Sequence, residues 1–441
     1  MTQSFADHIH TLEARWWQAL EDAGYEAAVI SAGPASYYYQ DDQSIAFRAN
    51  PDFAQWLPGD DTAGGHIVVR KGQPTQAVLF APEDYWHAAP EHPSWAEPAL
   101  RIEQFAETEA LQRHLAAVVA GAGRTMLAAE HEQPNLGCEA RNDPNVLHPI
   151  HFQRADKTGW ELEQLRAASL HGARGHIAAR DAFHAGGSEF EINMAFLSAS
   201  RQDAEALPYH SIVALNEHAG VLHYQHYERA APAERHSFLI DAGARVNGYA
   251  SDITRTYAAQ DQREFSAMIE AFDAHQQKLI AAIETGRSFQ DLHVEAHRAV
   301  AHTLAQFGLV SCSAEAAFEL GITGTFLPHG LGHLLGIQTH DIGGHQVDAA
   351  GTHQPPPAAY PALRLTREIA TGQVFTIEPG IYFIPMLLKA LAEAPAGQEV
   401  VWSEVERYLP CGGIRIEDDV HVSSNGVENL TRNAFKELES V

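Results

Sequence analysis

Cysteine is scarce in this chain. Its three residues, Cys138, Cys312 and Cys411, lie far apart and form no C-x-x-C pair. That excludes a disulfide scaffold and a cysteine zinc site, and it fits a reducing compartment. Positive charge is also in short supply. The 29 Lys and Arg face 57 Asp and Glu, a formal balance of −28. Such a surface repels nucleic acid and anionic membranes, which argues against both as partners. No apolar run reaches the roughly 18 residues of a membrane span. The N-terminal MTQSFADHIH has neither the basic nor the apolar stretch of a secretory signal. These absences predict a soluble, cytoplasmic protein.

What is present is ample core material, with 45% hydrophobic residues in a chain of 441, enough for two domains. The first part alternates helix and strand. Leu12, Trp16 and Leu20 recur every four residues inside a helix over 7–22. Strands are expected at 27–31, 66–71, 76–80 and 125–129, with a helix at 106–119. Residues 142–157, with Pro144 and Pro149, read as a linker. This predicts a small α/β domain over 1–156. The rest, 157–441, reads as α+β. A long helix over 160–184 ends at Gly186-Gly187, and Ser188 with Glu191 forms a capping-box pattern. Two more helices follow, one ending near Gly286 and one running from Ser288 to Gly308. The strand-like segments between and after them predict an antiparallel sheet. The segments 353–361 and 387–400 stand out as inserts.

The residues that suggest chemistry lie in this second part. In 238–257, Asn247-Gly248 is a strong two-residue hairpin signal. Counting outward pairs Val246 with Tyr249 and Gly243 with Asp252. Asp241 then shares a face with Asp252, one diagonal away, and diagonal neighbours sit about 7–8 Å apart. Two carboxylates can converge across that gap on ions about 3.5–4 Å apart. Residues 326–345, FLPHGLGHLLGIQTHDIGGH, place His329, His333, His340 and His345 among five glycines. Imidazole binds metals and carries protons, and the segment does not match H-E-x-x-H. Two apolar runs then end in glutamate: VFTIEPG at Glu378 and GGIRIEDDV at Glu417. Four carboxylates with several imidazoles favour hard divalent ions such as manganese.

The ordered blocks D-A-G…S-D-I-T-R-T, P-H-G-L-G-H-x-L-G, I-E-P-G and G-x-R-x-E-D resemble the pita-bread metallopeptidases, the group of methionine aminopeptidase, aminopeptidase P, creatinase and prolidase. The resemblance implies a creatinase-like N-terminal domain and a pita-bread catalytic domain. It implies two divalent ions, with Mn2+ expected, held by Asp241, Asp252, His333, Glu378 and Glu417, and Glu378 as proton shuttle. Within the group the chain is most similar to bacterial prolidases, including those called organophosphorus acid anhydrolases. The segment YYYQDDQSIAFRANPDFAQWLP belongs to that likeness. The subgroup implies hydrolysis of Xaa-Pro dipeptides, with incidental organophosphate hydrolysis. It implies His329 and His340 as further catalytic and substrate-binding groups. His223, Arg364, Tyr209, Leu363 and Arg415 would complete the substrate site. In the homodimer it implies, the loop of Asp42 reaches the partner's site.

Three other readings compete. An aminopeptidase P-like enzyme would take longer peptides, but Arg364, matched to the substrate's free carboxylate, favours dipeptides. A creatinase-like amidinohydrolase needs no metal, and a metal-free binding protein on this scaffold would lack the ligands. All five metal-type residues are present.

Overall fold

The computed structural model describes residues 2–59, 61–132, 134 and 136–440. It divides into two compact units. One holds residues 1–164 and 348–352, the other 165–347 and 353–441. The helix Gly159–His184 begins in the first and continues in the second. Among the described residues no helix is long and apolar enough to cross a membrane.

The first unit is built on a six-stranded mixed sheet. Ala27–Ser31 is central, antiparallel to His66–Arg70 and parallel to Thr125–Ala128. Every residue of Ala27–Ser31 is buried, as expected of a strand covered on both faces. The helix Thr108–Ala120 lays Leu111, Leu115 and Val119 onto Val29, Val78 and Leu127. The expected linker at 142–157 is instead largely a helix, Pro144–Gln153. Asp143 caps it, accepting from the Asn145 amide, and Pro144 stands in the first turn. Proline needs no N–H there and its fixed φ suits a helix start, so Pro144 opens the helix.

The second unit is a set of small antiparallel sheets. Ser237–Asp241 lies between Thr254–Ala258 and Ile212–Leu215. Asp418–Ser423 lies between Val374–Ile377 and Gly426–Asn429. Gly380–Tyr382 pairs with Gly413–Arg415, and the Thr254–Glu417 bridge joins two of these groups. Phe183, Ile192 and Phe196 pack against Val213, Leu215, Phe238 and Ile240. The capping box at Ser188 and Glu191 forms as expected. Ser288 caps Phe289–Gln306, while the preceding helix, Arg263–Ala281, stops short of Gly286. The insert at 387–400 contains the end of the helix Pro385–Glu393.

A buried ion cluster lies under the first unit's short helix Pro51–Ala54. Asp52 accepts from Arg154 Nη1 at 3.2 Å and pairs with His151 Nε2 at 3.1 Å. Burial alone would raise its pKa; His151 and Arg154 more than offset this and hold it below the ordinary value. A carboxylate with a depressed folded pKa stabilises the fold above its unfolded pKa and loses that contribution as pH falls through the folded one. Asp52→Asn should therefore lower stability at pH 7 by about 3 kcal/mol, the scale for breaking a buried pair. The difference from wild type should shrink below about pH 4. Denaturant melts at several pH values read this; a difference that did not change with pH would refute the ionised role.

Candidate active site

The carboxylates reach one place because strand ends carry them. Asp241 closes Ser237–Asp241 opposite Thr254, and the hairpin pairs Val246 with Tyr249. The two ladders share one register, so Asp252 falls opposite Gly243, diagonal to Asp241, as the turn count predicts. Asn247 and Gly248 take the positive φ values, 46° and 84°, that this turn requires. Glu378 follows Val374–Ile377 directly. Glu417 sits between Gly413–Arg415 and Asp418–Ser423.

His333 arrives on the glycine-rich segment. Its carbonyl accepts from the Thr376 amide at 3.0 Å, and the Glu378 amide donates to Leu331 O at 2.8 Å. A Cβ on Gly332 would stand 2.0 Å from Thr376 O, so only glycine allows this approach. His333 Nδ1 donates to Leu334 O at 3.0 Å. That leaves Nε2 facing Asp252 Oδ2 at 3.4 Å and Glu378 Oε1 at 3.6 Å. An imidazole whose other nitrogen is tied to a backbone carbonyl is oriented as a ligand.

Asp252, His333 and Glu417 offer ligand atoms all within 4.8 Å of one another. The Tyr209 hydroxyl lies between the two aspartates, but its proton goes to Asp252 Oδ1, and Asp241 Oδ1 is left buried without a hydrogen bond. Burial, then repulsion from Asp252 and the other acids, puts the Glu417 carboxyl well above its ordinary pKa. Burial likewise raises Glu378 to about 7, against the pull of His333. Asp241 is raised by burial despite Arg415. Crowded acids and an orphaned carboxylate oxygen are what a cation would satisfy, and the donor set fits divalent metal.

Arg415 ties the cluster together. It donates to Asp241 Oδ2 at 2.7 Å, to Thr254 Oγ1 at 3.2 Å and to the Tyr382 hydroxyl at 2.7 Å. Thr254 donates onward to Glu417 Oε2 at 2.6 Å. Tyr382 bonds His329 Nε2 at 2.8 Å, and His329 Nδ1 donates to Gly330 O at 2.8 Å. Both ring nitrogens of His329 are thus engaged by the protein. Burial, then the Arg415 charge, lowers His329 to about 3, so it is neutral. Tyr382 carries no functional signal of its own in the sequence, and Thr254 shows only as part of the S-D-I-T-R-T block. The only hint of Tyr382 is Gly380, whose missing side chain leaves room for the tyrosine ring.

Asp241, Asp252, His333, Glu378, Arg415 and Glu417 border a cavity of about 470 Å³ that Tyr209, His223, His329, His340 and Arg364 also line. The His340 ring stands edge-on to His333, centroids 4.4 Å apart, and burial, then the charges of His333 and Arg364, lowers it to about 4. Two expected substrate residues lie elsewhere. The Leu363 side chain is buried in the core and does not line the cavity, although its neighbours Ala362 and Arg364 do. Asp42 is exposed in the first unit, in the turn between the bridged Tyr37 and Ser44.

The model of metallopeptidase family M24 matches residues 163–424. The chain belongs to that family. Residues 3–152 match the Xaa-Pro dipeptidase N-terminal domain. The M24 chain is 44% identical to the Xaa-Pro dipeptidase of Pseudoalteromonas haloplanktis, over 97% of this chain and 98% of the relative. It is 44% identical to that of Aeromonas hydrophila subsp. hydrophila, over 98% and 99%. In structure it resembles Pseudomonas aeruginosa aminopeptidase PepP, with a TM-score of 0.73 at 22% identity over 98% of this chain and 99% of that one. M24 membership with these relatives makes it a metallopeptidase, a hydrolase, and the family implies divalent-metal binding.

Saturating divalent cation should raise the melting temperature of the metal-stripped M24 chain, since a ligand at about 100 times its Kd stabilises by about 2.7 kcal/mol. Glu417→Gln removes a buried acid from the crowded cluster, while its amide oxygen can still accept from Thr254. The variant should melt no lower than wild type in chelator and should lose most of the metal-dependent rise. A full rise in the variant would remove Glu417 from the metal site.

Proposed function

We propose that this chain is an Xaa-Pro dipeptidase with two divalent ions, most naturally Mn2+ for an oxygen-rich donor set. Asp241 would hold one ion, His333 with Glu378 the other, and Asp252 and Glu417 would serve both. When bound, the ions supply an activated water and polarise the scissile carbonyl. The chain's own groups do the rest. Glu378 borders the cavity directly after Val374–Ile377, where a carboxylate can receive a proton and return it. Its Oε2 lies toward His329, 3.7 Å from Nδ1. The C–N bond before proline breaks, water oxygen joins the carbonyl carbon, and the proton ends on the proline nitrogen. An amide nitrogen leaves as a neutral amine only when it gains a proton, so the site must supply one. His340, neutral at pH 7, has no hydrogen-bond partner among the described residues and is the imidazole open to substrate. His329, engaged at both nitrogens, and His223 serve as walls. The same activated water would attack phosphotriesters as an incidental activity.

The observation that carries the dipeptide reading is Arg364. It lines the same cavity as the carboxylate cluster and is exposed there. Its guanidinium has no hydrogen bond or ion pair among the described residues, so it is open to a substrate anion. A dipeptide ends in a carboxylate one residue past the scissile bond, and a planar guanidinium fits it through two parallel hydrogen bonds. The near full-length likeness to Xaa-Pro dipeptidases supports the same reading.

We also infer a homodimer. The loop of Asp42 exposes Tyr37, Tyr38 and Tyr39, the last at 90%, and three exposed tyrosines suit a protein contact better than water. Light scattering should return twice the chain mass, and a fully active monomer would refute the inference.

Arg364→Ala should raise KM for Ala-Pro and cut kcat/KM by roughly 10- to 100-fold, the worth of a charge-assisted hydrogen bond. It should harm Ala-Pro amide much less. Glu378→Gln should instead lower kcat at least about 100-fold on both substrates. Equal effects of Arg364→Ala on acid and amide would show that Arg364 does not read the carboxylate.

A further inference from the structure

Three residues of the cavity wall, Leu222, His223 and Gln225, lie on a segment without helix or strand, between the turn Asn216–Gly220 and residue 228. A loop that forms a substrate wall needs something to hold it. We propose that the buried carboxylate of Glu189 is a positioning residue that clamps this loop and so sets His223 against the substrate.

Glu189 opens the helix Glu189–Ser200 and is 1% exposed. Its Oε1 accepts from the Leu215 amide at 2.9 Å and from His218 Nδ1 at 2.7 Å. Its Oε2 accepts from the Tyr224 hydroxyl at 2.9 Å and from the Glu228 amide at 2.9 Å. One carboxylate therefore gathers four donors, from the end of Ile212–Leu215, from the turn after it, from the middle of the loop and from its far end. The Glu228 carbonyl in turn accepts from the Phe190 amide at 3.1 Å, so the loop is pinned twice at residue 228. The Tyr224 ring stacks on His218 with centroids 4.5 Å apart, which fixes the residue next to His223. The positive end of the helix that Glu189 begins favours its negative charge. A charge-assisted acceptor serving four donors is stronger and more directional than any amide could be. Glutamine has one acceptor oxygen, so in either orientation of its amide one backbone N–H, of Leu215 or of Glu228, would face an NH2 group.

This inference rests on the reading of the cavity as a dipeptide site, and the test separates the two. Glu189→Gln should leave metal content unchanged and speed amide exchange of residues 216–228 by at least about tenfold. It should raise KM for Ala-Pro at least about tenfold while kcat stays within about threefold, the pattern of lost ground-state binding. His223→Ala should cost little more in the Glu189→Gln background than Glu189→Gln costs alone, because both remove the same contact. Multiplicative effects of the two substitutions, or unchanged exchange in 216–228, would overturn the clamp. Wild-type chain that failed to cleave Ala-Pro would overturn the dipeptidase reading instead, and the exchange measurement would still decide the clamp. If Glu189→Gln does not fold, Tyr224→Phe removes a single donor and should loosen the same segment and raise KM to a smaller degree; wild-type exchange and KM in that variant would refute the proposal.

Discussion

Asp241, Asp252, Glu378 and Glu417 share one pocket, and two of them are almost entirely buried. Carboxylates taken out of water cannot all stay ionised without compensating positive charge. The protein supplies only part of it, through Arg415 on Asp241 and the imidazole of His333 between Asp252 and Glu378. The remaining deficit is a standing demand for cations. Much of the unit serves to keep that demand unrelieved by other means: strand ends that cannot swing away, a glycine that admits the His333 backbone, and a tyrosine whose single proton leaves one aspartate oxygen bare.

The same pleat that aims Glu417 at the site explains the two acids after it. Side chains alternate along a strand, so Glu417 and Asp419 share a side and Asp418 points the other way. Asp419 accepts from the Asp252 amide at 3.0 Å, holding the backbone of a site residue. Asp418, on the opposite side, meets Arg255 at 2.8 Å, Arg432 at 2.6 Å and Asn429 at 2.8 Å. Burial would raise Asp418, yet the two arginines and Asn429 hold it at about 2. Three consecutive acids thus do three different things: one faces the carboxylate cluster, one anchors the strand to the helix Leu430–Glu439, and one holds the backbone of Asp252.

Local rules make part of this legible in the amino-acid sequence. Asn247-Gly248 sets a register by turn chemistry alone, and counting from it places Asp241 beside Asp252. Ser188 with Glu191 is a local hydrogen-bond pattern and is equally readable. Pro144 misleads because proline breaks a helix in its middle but starts one at its first turn, and the choice turns on the cap at Asp143. Leu363 differs for another reason: its neighbours Ala362 and Arg364 line the cavity, while Leu363 itself is buried in the core. Tyr382 and Glu189 are invisible in the sequence, and Thr254 shows only as a member of the S-D-I-T-R-T block, since each takes its role from partners far away along the chain, such as Arg415, 161 residues from Thr254. A hydrogen-bond hub has no period and no spacing to read.

The two halves of the site are built by different physics. Asp241, Asp252, Glu378 and Glu417 stand at or beside strand ends, where ladder hydrogen bonds hold them. Other cavity-lining groups, Tyr209, His223, His340 and Arg364, which we propose face a substrate, all stand outside helices and strands. Metal geometry tolerates only small displacements, so it belongs on the sheet, whereas recognition of a dipeptide needs side chains from several directions, which loops provide. Loops hold position only if buried groups tie them down. Leu363 in the core beside Arg364, and Glu189 beneath the loop of His223, are such ties. The substrate wall can therefore change with its anchors while the carboxylate cluster beneath it stays the same.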